Sequence, residues 1–400
     1  MCSRIGFFVA FAALAAEPVI DRQVLFERGK GDYVFYRIPG IVVTKAGTVL
    51  AYAEARRTTR GDWGATDLLV RRSADAGKTF SDPAVVGKMS EDFPKNPAAV
   101  AKKQGLGEGA GVTYDNPVAI ADRKGAVHFV FCVEYMRVFY MRSDDDGRTF
   151  SKPVEITAAV EPLRKAFPWV VVATGPGHGI QLKNGRLLVP IWLSLGSGAS
   201  AHGDSVVSTL YSDDLGRTWK SGEIAAPKNS ETVSPNETAA VQLADGRVML
   251  NVRSPSKEQR RLVVFSKDGA THWSAPVFEE QLPEPLCFAS MVRLSLKKNR
   301  LLFVNPDNLA RADGKNTPGM ARDRKNVTVR LSYDEGKSWP VKRSLEPGPS
   351  AYSDLAVLPD GTILCFYEAG TKTPYDTLTL ARFNLEWLTN GQDSLSRKKN

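Results

Sequence analysis

The sequence predicts an all-β fold, a six-bladed β-propeller with about four antiparallel strands per blade. Two repeats lead to this prediction, an octapeptide with Asp at its third position and Gly at its fifth, and a shorter segment that combines a turn with a strand. Successive octapeptides begin 54 to 70 residues apart, a period typical of repeat architectures. Four regular copies lie at 73–80, 143–150, 212–219 and 332–339, and a degenerate copy lies at 266–273.

The octapeptide has the composition of a β-hairpin turn. It follows short apolar runs such as Leu68-Leu69-Val70 and precedes another segment of strand character. The Asp can accept backbone N–H bonds inside the turn, and the Gly can adopt the positive φ that closes it. In the degenerate copy the glycine shifts to Gly269 and His272 takes the position of the Thr, so we expect an irregular turn there.

The second repeat gives an independent prediction of the number of blades. Each copy has Gly or Asn in a tight turn followed by a β-rich run, and two hairpins in a unit of about sixty residues give four strands. Six units account for residues 17–390. The copies are 46–50, 124–127, 184–187, 245–248, 298–301 and 360–363.

Three other stretches complete the secondary structure prediction. Residues 161–167 and 383–388 are predicted to form a helical turn or two each. Residues 88–113 are polar and rich in glycine, which predicts an excursion loop, and residues 391–400 are predicted to form a frayed polar tail.

The composition indicates one large globular domain. The chain has 400 residues, of which 42% are hydrophobic and 24% charged, and the repeat runs through nearly all of them. The net charge of +9 favours an anionic partner. Because no block of five or six basic residues occurs, nucleic acid is not a predicted partner.

The N-terminus resembles a secretory signal. Arg4 precedes a short apolar run, and Ala13-Leu14-Ala15 has the form of a signal-peptidase site. The run is too short to span a membrane. We therefore predict a signal peptide at residues 1–16, a secreted or periplasmic protein and no membrane span.

The cysteines and histidines do not suggest a metal site. Cys132, Cys287 and Cys365 lie in apolar runs, and their odd number predicts buried free thiols rather than a disulfide framework. No Cys-x-x-Cys pair or helical His pair occurs, so His128 and His178 are interpreted as structural residues. We expect no metal and no cofactor.

The tetrapeptide Tyr36-Arg37-Ile38-Pro39 places a charged residue inside an apolar run. Upstream of the octapeptides, it resembles the opening signature of the exo-α-sialidases of glycoside hydrolase family 33, whose octapeptide is called the Asp box. The resemblance extends from Arg37 to Leu388. It implies a propeller whose chemistry is carried by residues that each occur once.

The resemblance implies three arginines that bind the carboxylate of sialic acid. Arg37 matches the first, Arg253 the second and Arg324 the third, and Arg322 competes with Arg324 for this assignment. Guanidinium groups suit a planar carboxylate because they form paired, charge-assisted hydrogen bonds with it. Glu368 matches the carboxylate that pairs with Arg37 and would offset repulsion among the arginines.

The catalytic residues implied by the resemblance are Asp62, Glu237 and Tyr352. A neutral tyrosine nucleophile avoids the repulsion that a carboxylate would meet at an anomeric carbon bearing a carboxylate, and sialidases are exceptions to the two-carboxylate scheme. A phenol ordinarily ionises near pH 10, so Glu237 is expected to take the proton of Tyr352. Asp62 would protonate the leaving oxygen and then activate water, with net retention.

Further matches surround the sugar's 4-hydroxyl. Arg56 matches an arginine near this group, and Asp115-Asn116-Pro117 resembles a segment that contacts the same region, with Asn116 the better match because it precedes the proline. The glycine-rich segment 175–179 resembles part of the pocket wall, although its glycines are also explained by a turn.

The predicted function is hydrolysis of terminal α-linked sialic acid from glycoproteins, glycolipids or oligosaccharides by a monomer. The alternatives are a propeller that binds sialylated glycans without cleaving them, a trans-sialidase, and a hydrolase of the deaminated sugar Kdn. A lectin would need the arginines but not Asp62, Glu237 and Tyr352 as well. The combination therefore favours an enzyme.

Overall fold

The computed structural model describes residues 17–57, 61–89, 93–103, 111–197 and 203–395. The predicted signal peptide at 1–16 lies outside the described residues. The regular secondary structure of the described residues is almost wholly antiparallel strand, so the all-β prediction is confirmed. None of the described helices is long and apolar enough to cross a membrane.

The first strand, β1 (Ile20–Glu27), is followed by four sheets in chain order, which we number sheets 1 to 4. In sheet 3, β10 and β11 both pair with β12, so its innermost strand is interrupted. Sheet 1 contains β2 (Phe35–Val43), β3 (Val49–Arg56), β4 (Thr66–Ser73) and β5 (Ala84–Val86); sheet 2 contains β6 (Tyr114–Ala121), β7 (Val127–Val133), β8 (Arg137–Ser143) and β9 (Val154–Glu155); sheet 3 contains β10 (Val171–Thr174), β11 (Ile180–Gln181), β12 (Leu187–Ser194), β13 (Ser205–Ser212) and β14 (Lys220–Ser221); sheet 4 contains β15 (Thr238–Gln242), β16 (Val248–Val252), β17 (Arg260–Ser266) and β18 (Val277–Pro283).

Sheet 5 has seven strands and includes both ends of the described chain. Its strand order is β1-β24-β23-β22-β21-β20-β19. The 17-residue strand β22 pairs with β21 through its first half and with β23 through its second half, so a separate sixth sheet is not present among the described residues. The strands are β19 (Ser290–Ser295), β20 (Arg300–Pro306), β21 (Lys325–Ser332), β22 (Val341–Val357), β23 (Ile363–Ala369) and β24 (Thr377–Phe383).

Each sheet packs against the next through apolar side chains, and sheet 5 packs against sheet 1. The strands nearest these contacts are buried on both faces, which explains their nearly continuous apolar sequences. The apolar clusters shared by neighbouring sheets include Tyr52 and Phe129 for sheets 1 and 2, Val130 and Val189 for sheets 2 and 3, Val207 and Leu250 for sheets 3 and 4, Met249 and Phe303 for sheets 4 and 5, and Phe366 and Ala51 for sheets 5 and 1.

The regular octapeptides form the turns that their composition predicts. Asp75 accepts hydrogen bonds from the backbone N–H groups of Lys78 at 3.1 Å and Thr79 at 2.9 Å, and the Thr79 hydroxyl donates to it at 2.7 Å. The Ser73 hydroxyl accepts the N–H of Gly77 at 2.8 Å, and Gly77 has a φ of 76°. The same pattern recurs at the other three regular copies.

The degenerate octapeptide at 266–273 forms a shorter turn. Asp268 accepts the N–H groups of Ala270 at 2.9 Å and Thr271 at 2.8 Å, and the Thr271 hydroxyl donates to it at 3.1 Å. The prediction of an irregular turn is confirmed. The assignment of His272 to the Thr position is wrong, because Thr271 makes that bond and His272 follows as an extra residue with a φ of 50°.

Short helices lie outside the sheets. The predicted helical turns correspond to a 3₁₀ helix at Glu161–Lys165 and to α2 (Leu385–Leu388), and two further 3₁₀ turns lie at Thr157–Ala159 and Lys297–Asn299. The predicted excursion loop at 88–113 includes a short helix that was not predicted, α1 (Ala99–Lys103). Its residues Val100 and Ala101 are buried, so this helix packs on the protein.

The C-terminal segment is part of the fold as far as residue 395. Asp393 is buried and accepts hydrogen bonds from Arg300 at 2.7 and 2.6 Å, and Lys298 lies 2.8 Å from the same carboxylate. The prediction that residues 391–400 form a frayed tail is therefore wrong for 391–395. Residues 396–400 lie outside the described part of the chain.

The cysteines and the two described central histidines have structural environments. Cys132, Cys287 and Cys365 are buried free thiols, as predicted. His128 lies 3.1 Å from Asp122 and is fully buried, and His178 is paired with a buried aspartate. Within the described residues, no three His, Cys, Asp or Glu side chains come together in a way that could hold a metal ion.

Candidate active site

An open cavity of about 790 Å³ lies where the innermost strands of several sheets meet. Seven of the ten predicted site residues line this cavity, although they are spread over more than 300 positions of the sequence. The remaining three, Arg56, Asp115 and Glu368, are buried behind the wall. The seven are Arg37, Asp62, Asn116, Glu237, Arg253, Arg324 and Tyr352.

Irregular pairing directs several of these side chains into the cavity. The register of β2 shifts between Arg37 and Gly40, and that of β6 shifts between Asp115 and Val118. Each shift contains a proline, which has no N–H to donate to a ladder and is tolerated at bulges. The register of β22 likewise shifts directly around Tyr352. Such bulges bend the strand and change the direction of a side chain.

Tyr352, Glu237 and Arg253 form one hydrogen-bonded cluster. The Tyr352 hydroxyl donates to Oε1 of Glu237, and Arg253 Nη1 donates to Oε2 of Glu237 at 2.5 Å and to the Tyr352 hydroxyl at 2.9 Å. Burial and the adjacent Glu237 carboxylate raise the pKa of Tyr352, whereas Arg253 and Arg324 lower it. The resting tyrosine is therefore neutral, and both a proton acceptor and a cation are in contact with its oxygen.

Glu368 connects the first arginine to the tyrosine strand. Its Oε1 accepts a hydrogen bond from Arg37 Nε at 2.5 Å, and its Oε2 accepts the backbone N–H of Tyr352 at 3.1 Å. Burial, the largest single influence, disfavours the charged form of Arg37, but Glu368, Tyr375 and Asp62 together outweigh it and raise the pKa of the guanidinium. Arg37 is consequently held as a cation beside the cavity, with its guanidinium carbon 5.3 Å from the Tyr352 ring centroid.

The two candidates for the third arginine have different surroundings. The Arg324 guanidinium lies 5.1 Å from the Tyr352 ring centroid and donates to the carbonyl of Leu286 at 2.7 Å. Arg322 instead donates to four backbone carbonyls of its own loop, including those of Thr317 at 3.0 Å and Met320 at 2.7 Å. Arg322 thus organises the loop, and Arg324 is the residue beside the tyrosine.

Asp62 is an accessible carboxylate in the cavity lining. Its side chain is 43% exposed, and its Oδ1 lies 2.9 Å from Nη1 of Arg56. Arg56 is fully buried between Asp62 and Glu54, whose Oε2 lies 2.6 Å from Nη2 of Arg56. The structure therefore places Arg56 behind Asp62, and its place near the sugar's 4-hydroxyl stays a prediction.

Asn116 and Asp115 differ in their position relative to the cavity. Asn116 lines the cavity with a φ of 49°, and its N–H donates to Oε1 of Glu54 at 2.8 Å. Asp115 is fully buried and accepts the backbone N–H of Tyr135 at 3.2 Å. Burial, reinforced by Glu54, raises the pKa of Asp115. Asp115 therefore does not reach the cavity, and of the two residues only Asn116 does.

The glycine-rich segment 175–179 lies beneath the site rather than in its wall. His178 Nδ1 lies 2.8 Å from the buried Asp354, which also accepts the Ser290 hydroxyl at 2.7 Å and the N–H of Ile41 at 2.9 Å. Asp354 thus joins several innermost strands two residues beyond Tyr352. The expectation that this segment forms part of the pocket wall is not met, because none of its residues lines the cavity.

Tyr375, Tyr135 and Glu54 are among the residues around the cavity that were not singled out from the sequence. Tyr375 and Tyr135 line its wall, and Tyr375 lies with its ring centroid 4.3 Å from the Arg37 guanidinium carbon. Glu54 supports Asp62 through Arg56. Tyr375 and Tyr135 lie in turns with no recurring pattern, whereas Glu54 stands two residues before Arg56 in a strand and could have been found from that spacing.

Comparison with known proteins agrees with this arrangement. A family model described as a BNR repeat-like domain matches residues 95–365. A sialidase of Micromonospora viridifaciens is 30% identical over 403 residues, which cover 93% of this chain and 55% of that protein. An exo-alpha-sialidase of Aspergillus fumigatus is 27% identical, with coverage of 90% of this chain and 86% of that protein.

Comparison with solved structures also finds a sialidase with a similar fold. The Hadza microbial sialidase Hz136 superposes with a TM-score of 0.71 at 24% identity, covering 89% of this chain and 67% of that chain. This chain spans little more than half the length of the Micromonospora protein. The family match extends over most of the sequence, although β2 with Arg37 and the segment with Asp62 lie before it. The chain therefore belongs to the sialidase family of BNR-repeat proteins.

Proposed function

We propose that the protein is an exo-α-sialidase that hydrolyses terminal α-linked sialic acid with retention of configuration. The observation that carries this proposal is the contact of the Tyr352 hydroxyl with both Glu237 and Arg253 inside a cavity that also exposes Arg37 and Arg324. A site that only bound an anion would not need a tyrosine bonded to a carboxylate.

A six-bladed β-propeller is part of the proposal. Sheets 1 to 4 would each be one blade, and sheet 5 would contain two blades that share the long strand β22. An apolar cluster between the two halves of sheet 5, which includes Val304 and Tyr367, supports this division. Pairing of β1 with β24 would close the ring by joining the N-terminal strand to the last blade.

The three arginines are proposed to bind the carboxylate of the sugar. Arg37 and Arg253 each have a carboxylate partner within the protein, which fixes their side chains before substrate arrives. A planar carboxylate can accept paired hydrogen bonds from guanidinium groups. Binding would therefore hold the anomeric carbon next to the carboxylate and close to the Tyr352 oxygen.

The first chemical step forms a bond between the Tyr352 oxygen and the anomeric carbon. The tyrosine proton passes to Glu237, and Arg253 stabilises the negative charge that develops on the phenolic oxygen. The bond from the anomeric carbon to the aglycone oxygen breaks, and Asp62 donates a proton to that oxygen. The exposure of Asp62 is compatible with contact with a bound aglycone.

In the second step water releases the sugar. Asp62, now a carboxylate, takes a proton from the water while the water oxygen attacks the anomeric carbon. The bond to Tyr352 breaks, and Glu237 returns the proton to the tyrosine. Two inversions at one carbon give the α-anomer as the first product.

The localisation, oligomeric state and natural substrates of the protein are also part of the proposal. We propose that the protein is exported by its N-terminal signal and acts as a monomer on sialylated glycoproteins, glycolipids or oligosaccharides. The apolar run after Arg4 and the small residues at 13–15 support export.

A fluorogenic assay tests the proposal directly. Aryl α-glycosides of N-acetylneuraminic acid and Kdn are supplied to the full chain and to Tyr352→Phe, and free sugar, transfer products and the anomer first formed are measured by NMR. We expect free α-sialic acid from the wild type and none from the variant. Binding without turnover would indicate a lectin, transfer products a trans-sialidase, and an initial β-anomer would overturn retention.

A further inference from the structure

One further buried ion pair lies beneath the cavity, and its two residues are not among those assigned to the reaction. Arg261 on β17 and Glu284, in the segment between β18 and β19, are both fully buried and paired through Arg261 Nη1. Arg261 also donates to the side-chain oxygen of Asn251 at 2.7 Å and to its carbonyl at 3.0 Å. A buried pair is tolerated only when hydrogen bonds satisfy its remaining polar groups.

The pair holds both backbone polar groups of Cys287. Glu284 Oε1 accepts the Cys287 N–H at 3.0 Å, and Arg261 Nη1 donates to the Cys287 carbonyl at 3.2 Å. The residue before it, Leu286, has a φ of 62°, a conformation that side-chain-bearing residues adopt only when their surroundings impose it. The pair therefore fixes this loop in a shape that it would not adopt freely.

The consequence of this shape is the direction of one carbonyl group. The Leu286 carbonyl accepts a hydrogen bond from Arg324 Nη2 at 2.7 Å. Arg37 and Arg253 are each held by a carboxylate, but among the described residues Arg324 forms no ion pair. Its other recorded hydrogen bond is a longer one of 3.3 Å to the Tyr375 hydroxyl.

We propose that Arg261 and Glu284 are positioning residues that aim Arg324 at the substrate carboxylate through the Leu286 carbonyl. A neutral carbonyl leaves the full charge of Arg324 available to the substrate, and the buried pair supplies the rigidity that a carboxylate supplies to the other two arginines. This inference rests on the proposed function, because it assigns Arg324 to carboxylate binding.

The test is a double-mutant cycle between Glu284→Gln and Arg324→Ala, with kcat and KM measured on an aryl α-sialoside. A displaced binding group costs on the order of tenfold to a hundredfold in activity, so we expect Glu284→Gln to lower kcat/KM by about that factor, chiefly through KM. In the Arg324→Ala background the same substitution should change kcat/KM by less than about twofold, because the group that it positions is gone.

A matched control separates positioning from general stability. Arg300 and Asp393 form another buried, hydrogen-bonded pair that joins a strand to the C-terminal segment and does not line the cavity. Asp393→Asn should lower the melting temperature, as Glu284→Gln does, and leave KM unchanged. If Glu284→Gln does not fold, Glu284→Asp keeps the charge, withdraws the oxygen from the Cys287 N–H and should raise KM in the same Arg324-dependent way.

The outcomes distinguish the two proposals. No product from the wild type would overturn the proposed function. An active wild type in which Glu284→Gln and Arg324→Ala lower kcat/KM by independent factors would overturn the positioning role and leave the function intact. Equal effects of Glu284→Gln and Asp393→Asn on KM would also overturn the positioning role.

Discussion

The octapeptide turns and the cavity differ in the sequence separation between their hydrogen-bond partners. In the turn at 73–80, Asp75 and Ser73 bond to partners two to four residues away. At the cavity, Arg37 bonds to Glu368 across 331 positions, and Arg253 bonds to Tyr352 across 99. The turns are local and repeated, so loss of one bond should weaken the fold without changing the chemistry. The cavity residues occur once and converge, so loss of one of them should change the catalytic activity.

The largest expected effect is that of Tyr352→Phe. Removal of the proposed nucleophile should lower kcat by roughly 10⁴- to 10⁶-fold, as with other catalytic nucleophiles. The lost hydroxyl should change the free energy of unfolding by only about 1 kcal/mol. Turnover of an aryl α-sialoside and urea unfolding measure the two quantities.

Tyr375→Phe is the matched control, because Tyr375 also lines the cavity and receives a hydrogen bond from Arg324. It should lose activity by about tenfold, the size of one such bond. Equal activity losses in the two tyrosine variants would remove Tyr352 from the role of nucleophile.

The second effect is that of Glu368→Gln, which should change both the stability and the chemistry. Glu368 is fully buried and bonds both to Arg37 and to the backbone of the Tyr352 strand. Removing one partner of a buried ion pair costs about 3–5 kcal/mol, so the free energy of unfolding should fall by that amount. The KM should also rise, because Arg37 loses its anchor.

Glu335→Gln provides the comparison for this effect. Glu335 pairs with Arg293 at 2.6 Å with both side chains 17% exposed, and neither residue lines the cavity. The expected loss is about 1 kcal/mol, with no change in KM. A Glu368→Gln variant as stable as Glu335→Gln would show that the central pair has no special role in the fold.

The third effect concerns the choice between Arg324 and Arg322. Arg324→Lys should lower kcat/KM by about 10- to 100-fold, because an ammonium group cannot reproduce hydrogen bonds worth about 1.5–3 kcal/mol to a carboxylate. Arg322→Lys should lower the stability of its loop and change kcat/KM by less than about threefold. Steady-state kinetics of the two variants decides between them, and the opposite ranking would shift the assignment to Arg322.

The difference in range explains which features the sequence could predict. The turns were predicted well, because the hydrogen bonds that close the turn, from the N–H groups of Gly77 and Thr79 to Ser73 and Asp75, lie within one octapeptide. The prediction of a frayed tail failed at Asp393 for the opposite reason. This residue is held in the fold by Arg300, which lies 93 positions away in the sequence. Nothing local distinguishes an anchored aspartate from a solvated one.

The cavity shows the same limit. The resemblance named Arg37, Glu237 and Tyr352, which the structure brings together, because each lies in a segment with a recognisable pattern. It favoured Asn116 over Asp115 but kept both as site residues, because the direction of a side chain depends on the register shift in β6. Tyr375 was missed because its contact with Arg37 crosses the whole chain.

The smallest expected effect is that of Asp145→Asn in the second octapeptide turn. Asp145 accepts the hydroxyl of Thr149 and the N–H groups of Thr149 and Arg148. An amide retains only part of this acceptor capacity, so the free energy of unfolding should fall by about 1 kcal/mol, the size of a lost cap, while kcat/KM stays within about twofold. Asp144→Asn, which removes an exposed ion pair with Arg142, should cost less than about 0.5 kcal/mol.

The pH dependence of this difference tests its cause. The hydrogen bonds from Thr149 lower the pKa of Asp145 to about 2, and an unfolded Asp has a pKa of about 3.9. A group whose pKa is lower in the folded state contributes its stability above the unfolded pKa and loses it as the pH falls through the folded pKa. The gap between wild type and Asp145→Asn in urea unfolding should therefore be full above about pH 4 and close towards pH 2. A difference in stability that persists below pH 2 would mean that the turn depends on the shape of the side chain and not on its charge. The turns and the cavity would then differ only in the sequence separation of their hydrogen-bond partners.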